Sequence, residues 1–329
     1  MEKMSGRIGL TTTVPVEVVL AAGLIPVDLN NVFITAPDRA AMNASAEARG
    51  FPANLCAWIK GIYAAARVMD IKRIIGVVRG DCSSTEKLVE IWKHEGVNCI
   101  PFSYPPASQQ DNMRNELSLL AGFLGTSLEA AEAKRRELAP VRAMLRELDD
   151  LTWREGKVTG FENHLWLVSA SDFNGDPQSF TRGLQRFLDE ARARQSARDF
   201  IRLGYVGVPP ICDGLYQFIE SRGARVVFNE VQRQFAMITG AANLAGQYAD
   251  YTYPLETFRR VHEDIGPEIT RRGLQGIIHY AQTFCHRQLD AILLREKLPV
   301  PVLTIEADRP GTLDPRTMTR IEAFLEQLS

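Results

Sequence analysis

Two stretches of this chain repeat one order of elements, namely a strand, a turn carrying a cysteine, a helix and a second strand. The two copies have their first strands at residues 73–78 and 276–282, their helices at 85–94 and 287–297, and their second strands at 97–102 and 300–306. Cys82 and Cys285 occupy the same place in the ungapped register of the two copies. In the second helix, the spacing of Leu289, Ile292 and Leu293 predicts a buried face. Because parallel strands need a crossover connection, the repeat predicts two similar parallel-sheet halves, each with a cysteine near a strand end.

The rest of the chain divides around these copies. The sequence predicts a strand, a helix and a strand at residues 8–13, 16–22 and 24–29. It predicts the same order at residues 205–208, 215–222 and 224–228. Residues 109–198 are rich in Arg, Glu, Ala and Leu and read as helices. The predicted fold class is α/β, with two similar lobes containing parallel sheets, joined by a helical insertion. A chain of 329 residues at roughly 150 per domain fits this division, with an N-terminal lobe at 1–108, the insertion at 109–200 and a C-terminal lobe at 201–329.

The composition excludes several classes of function. The net charge of −2 and a pI near 6.3 give no basic surface for nucleic acid or an anionic membrane. No stretch approaches the roughly 20 apolar residues of a membrane span, and the N-terminal region has no apolar run suited to a signal peptide. We therefore expect a cytoplasmic protein that contacts neither nucleic acid nor a membrane.

Polar residues follow two of the apolar strands. The three threonines at residues 11–13 stand beside a helix start, where they either hold an anion or cap the helix. Residues 229–234 are unusually polar for the exit from an apolar strand, and they either cap the next helix or face a ligand.

The cysteines carry the chemistry of interest. The chain has five, an odd number, without a Cys-x-x-Cys pair, so a disulfide framework, a zinc ribbon and a thioredoxin motif are not expected. Cys56 begins a predicted helix, as Cys82 and Cys285 do, whereas Cys99 lies inside a strand. Thiolates suit soft metals and iron–sulfur clusters, and a cubane held by three of them would leave one iron open. Each cysteine is alternatively a small buried hydrophobe.

The exact residue strings add a family resemblance. TTTVP, NLCAWIKG, GDCS, GVPP, NEVQRQF and HYAQTFCH, at residues 11–15, 54–61, 80–83, 207–210, 229–235 and 279–286, resemble the 2-hydroxyacyl-CoA dehydratase and benzoyl-CoA reductase family, which includes the double-cubane cluster proteins. The resemblance covers nearly the whole chain, and the three cysteine contexts occur in family-like order and spacing. It implies two flavodoxin-like lobes and an oxygen-sensitive cofactor, either a 4Fe-4S cluster or an 8Fe-9S double cubane, on Cys56, Cys82 and Cys285.

The resemblance also implies an activity and partners. A separate ATP-dependent iron–sulfur activator delivers a low-potential electron in this family, and the dehydratases use it for radical dehydration of a 2-hydroxyacyl-CoA. His279, Gln282 and His286 flank Cys285, and we expect them to donate hydrogen bonds or move protons there, although either histidine would equally satisfy a local carbonyl. The assembly is expected to be a homodimer or a paralogous heterodimer, as dehydratases use two different subunits.

Three functional hypotheses are compatible with the sequence. The chain is a dehydratase-like lyase subunit, a double-cubane-type reductase of small molecules, or a non-catalytic two-lobed protein for binding or electron transfer. Some members of the family have a cysteine after the corresponding strand. Cys212 does not align with that cysteine, so it is not assigned as a ligand. The residues do not name the substrate.

Overall fold

Two four-stranded parallel sheets form the centre of the structure, a computed structural model that describes residues 6–106 and 110–329. The strands are β1 Arg7–Leu10, β2 Ile25–Asp28, β3 Arg73–Arg79, β4 Asn98–Ser103, β5 Ile201–Gly207, β6 Cys212–Asp213, β7 Ala224–Asn229, β8 Gly276–Gln282, β9 Val302–Ala307 and β10 Gly311–Thr312. The first sheet has the order β2-β1-β3-β4 and the second the order β7-β5-β8-β9, while β6 and β10 form a short parallel pair. The predicted α/β class with parallel sheets is confirmed.

The two large sheets have equivalent strand orders. In each, the first strand in sequence lies inside, its successor takes the outer edge on one side, and the next two strands extend the other side. The direction of strand addition therefore reverses between β1 and β3 and again between β5 and β8. Ligands in open α/β sheets bind outside the carboxyl ends of the strands at such reversals.

Sixteen α-helices surround the sheets in the described residues. They are α1 Val16–Ala21, α2 Leu29–Thr35, α3 Arg39–Ala48, α4 Ala57–Val68, α5 Ser83–His94, α6 Gln110–Phe123, α7 Leu128–Trp153, α8 Gly160–Ser169, α9 Pro177–Ala193, α10 Leu215–Ser221, α11 Glu230–Phe235, α12 Leu244–Ala249, α13 Thr257–Arg260, α14 Gly266–Arg272, α15 Asp290–Lys297 and α16 Pro315–Leu328. A π-helical turn at Val261–Ile265 joins α13 to α14, and 3₁₀ turns occupy Phe173–Gly175 and His286–Leu289.

Both faces of each large sheet are buried, which explains the continuous apolar runs of their strands. In the first sheet, Ile74 packs with α4 and α5 in one apolar cluster, while Ile75 belongs to a second cluster with α1 and α6. In the second sheet, Ile278 and Ile277 divide in the same way between a cluster with α10 and α16 and a cluster with α14 and α15.

The helical segment α7–α9 has its own apolar core and is tied to both sheets by buried ion pairs. Arg142 on α7 pairs with Glu17 on α1, with 2.5 Å between their atoms. Asp149, also on α7, pairs with Arg272 at the end of α14, at 2.6 Å. Residues 110–198 contain no strand, as predicted for the insertion, while the predicted boundary between 108 and 109 lies outside the described residues.

The helix after Cys285 packs differently from the prediction. Leu289 and Ile292 were expected inside but are 69% and 62% exposed. Residues 286–289 form a 3₁₀ turn, which has about 3.0 residues per turn instead of 3.6, so the helical phase shifts. The face that α15 buries carries Ala291 and Leu294 instead.

No helix among the described residues combines the length and the apolar character required to cross a membrane.

Candidate functional site

The carboxyl ends of the two large sheets border a common cavity of about 120 Å³. Its wall is built from the segments that follow β1, β3, β5 and β8, the strands on either side of the two reversals. These segments contribute Thr11, Thr12, Asp81, Cys82, Val208, Pro209, Pro210, Gln282, Cys285, His286 and Arg287. The arrangement matches the general position of ligand sites in open parallel sheets.

Cys56, Cys82 and Cys285 all line this cavity. Each is the residue immediately before a helical segment, so each sulfur lies at a helix start: α4, α5 and the 3₁₀ turn that leads into α15. All three are free and only partly exposed. The structure therefore brings the three predicted cysteines together from stretches far apart in the sequence.

Two opposing effects act on the pKa values of the three thiols, namely burial and the N–H groups at the helix starts. Burial raises the pKa of Cys56 to about 12 and also raises the pKa values of Cys82 and Cys285. The backbone N–H groups of the next turn oppose these rises, although no side-chain capping bond forms. Negative charge on Cys82 or Cys285 would further raise the pKa of Cys56.

Two buried donors beside the thiols lack a partner among the described residues. They are the indole Nε1–H of Trp58 and the phenol O–H of Tyr253, and both side chains line the cavity. An unpaired buried donor costs about 1–3 kcal/mol, so such groups usually have a partner. A group with sulfide acceptors, held by the thiols, would supply one.

A charged network supports the Cys285 turn. Arg287 donates to the backbone oxygen of Tyr253 at 3.0 Å, and its guanidinium lies over that ring. Asp290 pairs with Arg260 at 2.8 Å, and Arg260 makes a buried bidentate pair with Glu230. The turn is thus anchored to α11 and α13 by groups that are almost fully buried.

Asp81, directly before Cys82, also lines the cavity. Burial raises the pKa of its carboxyl group, and the positive charge of Arg287 opposes this rise. Neither residue was singled out from the sequence, because their proximity depends on the meeting of the two sheets.

The three residues expected beside Cys285 occupy different environments. Gln282 lines the cavity with a fixed amide, which accepts from Tyr280 at 3.1 Å and donates to the Asp308 carbonyl at 2.9 Å. His286 lies at the exposed rim of the cavity, where partial burial and the charge of Arg287 lower its pKa. His279 lies inside β8, outside the cavity wall, and burial lowers its pKa to about 4.

A larger cavity of about 690 Å³ adjoins the first and shares part of its wall. Arg7, Arg39, Cys212 and Asp213 line the larger cavity only, whereas His164 lines both. Sequence reasoning missed His164, since one histidine in an apolar helix gives no signal without its distant neighbours.

Other notable residues have internal roles. The polar residues 230–234 form α11 and are buried, where Arg233 pairs with Asp264 and Gln234 donates to Thr252. These bonds within the protein, and not helix capping or ligand contact, explain why residues 230–234 are polar. Cys99 is buried in β4, and Cys212 lies in the short strand β6 away from the other thiols' cavity.

The thiols of the cavity are soft donors. Within the described ranges, no three His, Cys, Asp or Glu side chains come close enough to hold one metal ion. Ligands of a single ion converge at about 2.3 Å from it, whereas a cluster spreads its thiolate ligands over several metal atoms. Three free thiols line one cavity, and the soft character of sulfur is compatible with iron–sulfur chemistry.

The chain matches a protein-family model over nearly its whole length. A family model described as HGD-D, 2-hydroxyglutaryl-CoA dehydratase, D-component, matches residues 11–328. The matched range contains every strand of the two large sheets except β1, and it also contains the helical segment and all of the cysteines. No curated protein matches the chain.

Proposed function

The chain belongs to the family of the 2-hydroxyglutaryl-CoA dehydratase D-component, and from this premise we propose that it is an iron–sulfur subunit of a 2-hydroxyacyl-CoA dehydratase. The observation that carries the proposal is the convergence of Cys56, Cys82 and Cys285 on one cavity at the carboxyl ends of two parallel sheets. We further propose that the two sheets are the centres of two flavodoxin-like lobes, at residues 1–108 and 201–329, joined by the helical portion 109–200.

In this proposal the three thiols hold a 4Fe-4S cluster. When bound, the cluster supplies a low-potential electron and an iron open to a substrate oxygen. The chain contributes the site itself: three helix starts that favour negative charge, and the donors of Trp58 and Tyr253 beside the sulfurs. Hydrogen bonds to sulfur are one way a protein sets a cluster's potential.

The remaining side chains of the cavity handle binding and protons. Gln282 is fixed by two hydrogen bonds and presents an oriented amide edge to the cavity. His286 lies at the exposed rim, a suitable place to pass protons between solvent and the interior. His279 contacts Thr304 at 3.4 Å from inside β8, so we propose that it supports the strand behind these residues.

The larger cavity suits the long arm of a CoA ester. It adjoins the thiol-lined cavity, and the cationic side chain of Arg7 on its wall would attract a phosphate group, whereas Arg39 on the same wall pairs with Asp213. We propose a cytoplasmic assembly, either a homodimer or a paralogous heterodimer, that receives electrons from an ATP-dependent iron–sulfur activator.

Anaerobic purification with iron and sulfide determination and EPR tests the cluster. We expect about four irons per chain, with loss on replacing Cys56, Cys82 or Cys285 by Ser. Cys99→Ser and Cys212→Ser are the matched controls and should keep their iron. A content of about eight irons would favour the alternative, a double-cubane reductase of small molecules. A protein that stays metal-free after anaerobic reconstitution would show that the cysteines are packing residues.

A further inference from the structure

His164 lies where the two cavities meet. The walls of both include Asn31, Ile34, His164, Val168 and Pro210. Two of these five side chains are polar, Asn31 and His164; Asn31 donates its Nδ2 to Ser171, and His164 is only 9% exposed. It comes from α8, outside both large sheets. The ring lies beside Phe161 and Tyr216, with centroid distances of 6.2 and 5.0 Å.

A chain of buried hydrogen bonds begins at Asp149 and leads towards His164. Asp149 is paired with Arg272, and a carboxylate can only accept hydrogen bonds. Asn163 therefore donates its Nδ2 to Asp149, at 3.3 Å, which leaves its Oδ1 as an acceptor. That oxygen receives the Nδ2 of Asn229 at 2.7 Å, so the Oδ1 of Asn229 is an acceptor as well.

The remaining hydrogen bonds of this series determine which imidazole nitrogen of His164 carries the proton. Tyr216 donates its hydroxyl proton to Asn229 at 2.7 Å, so its oxygen accepts from the Nε2 of Gln232 at 3.3 Å. The same Gln232 nitrogen lies 3.0 Å from Nδ1 of His164. Because an amide nitrogen donates, Nδ1 accepts, and the proton of the neutral ring lies on Nε2. Burial lowers the pKa of His164 to about 4, in agreement with a neutral ring.

The protonated nitrogen faces the cavities. Within the part of the chain that the structure describes, Nε2 of His164 has no hydrogen-bond partner, yet it is not among the fully buried unpaired atoms. Since the ring lines both cavities, this N–H is a donor available to a ligand at their junction.

We propose that His164 donates a hydrogen bond from Nε2 to the carbonyl oxygen of an acyl thioester that extends across the two cavities. This inference rests on the proposed function, because the thioester links the acyl group to the long CoA arm. The acyl end would enter the thiol-lined cavity beside the group that the thiols hold, and the cavity of about 690 Å³ takes the arm. The carbonyl then falls at the junction, where His164 lies.

Two substitutions separate ligand contact from a structural role. His164→Asn retains an acceptor near Nδ1 for Gln232 but has no atom near Nε2. His164→Gln reaches the place of Nε2 with its amide N–H. The ligands are lactoyl-CoA or 2-hydroxyglutaryl-CoA, whichever the anaerobically purified wild type binds more tightly, and its thioether analogue, in which CH₂ replaces the carbonyl. Binding is measured by calorimetry, with the exposed His262→Asn as matched control.

We expect His164→Asn to raise the Kd of the thioester roughly 3- to 10-fold, the usual value of one hydrogen bond, while His164→Gln stays near wild type. The thioether should bind all three proteins alike. A wild-type Kd in His164→Asn, or an equal loss for thioester and thioether, would overturn the inference and leave the proposed function intact. A wild type that binds neither CoA ester would instead overturn the substrate class and the inference with it, whatever the iron content.

The tautomer of the wild-type ring gives a second test, which does not rely on the affinity of a variant. In ¹⁵N-histidine NMR spectra of the wild type, we expect His164 as the neutral Nε2–H tautomer, assigned by the signal missing from His164→Gln. The Nε2 signal should shift when the thioester is added. An Nδ1–H tautomer would contradict the hydrogen-bond chain and overturn the inference.

Discussion

The guanidinium of Arg287 lies 3.9 Å from the centroid of the Tyr253 ring. The same side chain donates to the backbone oxygen of Tyr253 at 3.0 Å, so Arg287 holds both the ring and the backbone of this residue. Yet the phenol hydroxyl, buried at the cavity wall, has no partner among the described residues. The structure thus holds rigidly a donor that has no acceptor among the described residues.

Tyr253→Phe should have little effect on the stability of the metal-free protein. The variant keeps the ring beneath Arg287 and removes a hydroxyl without a partner, so the free energy of unfolding should stay level or rise by up to about 1 kcal/mol. Urea denaturation measures this. In the reconstituted iron–sulfur protein we expect a more negative reduction potential, because a hydrogen bond to sulfur favours the reduced state. A clear loss of stability in the metal-free variant would reveal a partner within the protein.

Glu230→Gln should be strongly destabilising. Glu230 and Arg260 are both 0% exposed, and the carboxylate also accepts from the backbone N–H of Gly207 at 3.0 Å. Removal of one partner leaves a buried charge without full compensation, which costs about 3–5 kcal/mol. The matched control is Glu263→Gln, whose exposed pair with Arg259 should be worth less than about 1 kcal/mol. Equal losses in urea denaturation would contradict this account.

The sequence predicted much of the sheet structure because parallel strands buried on both faces leave continuous apolar runs. The strand Gly276–Gln282 has the predicted bounds, and the helix at 83–94 begins within two residues of its prediction. The gathering of Cys56, Cys82 and Cys285 follows from the same cause, since elements at the carboxyl ends of parallel strands meet at one edge.

Features that depend on contacts between distant parts of the chain could not be predicted from the sequence. The exposure of Leu289 follows from a 3₁₀ turn that apolar spacing does not reveal. The position of His164 depends on a hydrogen bond to Gln232 on α11 and a ring contact with Tyr216 on α10, some 50 to 70 residues away in the chain. Residues 230–234 show the same limit, because their polar character reflects partners such as Arg260 and Asp264 that only the folded chain brings near.

Asp28 and Asp172 predict a pH-dependent stability. The backbone N–H of Asp28 donates to Asp172 at 2.7 Å, and both carboxyl groups are buried. Burial and the charge of Asp28 raise the pKa of Asp172 to about 7, so the folded state binds a proton that the unfolded state releases near pH 4. The free energy of unfolding should therefore fall as pH rises from about 4 to 7, by at most about 1.4 kcal/mol per pH unit for one proton.

Asp172→Asn tests this prediction, because it removes the titrating group but keeps an oxygen acceptor for the N–H of Asp28. Urea denaturation at several pH values should show a flatter slope in the variant. Infrared spectra should also lose the band of a protonated carboxyl group at neutral pH. An identical slope in both proteins would mean that the carboxyl pair shares no proton.

Gly80→Ala should disturb the thiol-lined cavity through the backbone. Gly80 has a φ of 90°, and an added Cβ would lie 2.6 Å from Cβ of Tyr104 and 3.1 Å from Cβ of Pro254. Gly96 is the matched control, since its φ is 84° but nothing lies within 4 Å of its Cβ position. The left-handed conformation should cost both variants about 1–2 kcal/mol, and the clash at residue 80 should add about 1–3 kcal/mol. Because Cys82 follows two residues later, Gly80→Ala should also lose iron while Gly96→Ala retains it. Equal stability and equal iron content in the two variants would mean that the turn relaxes without moving the cysteine.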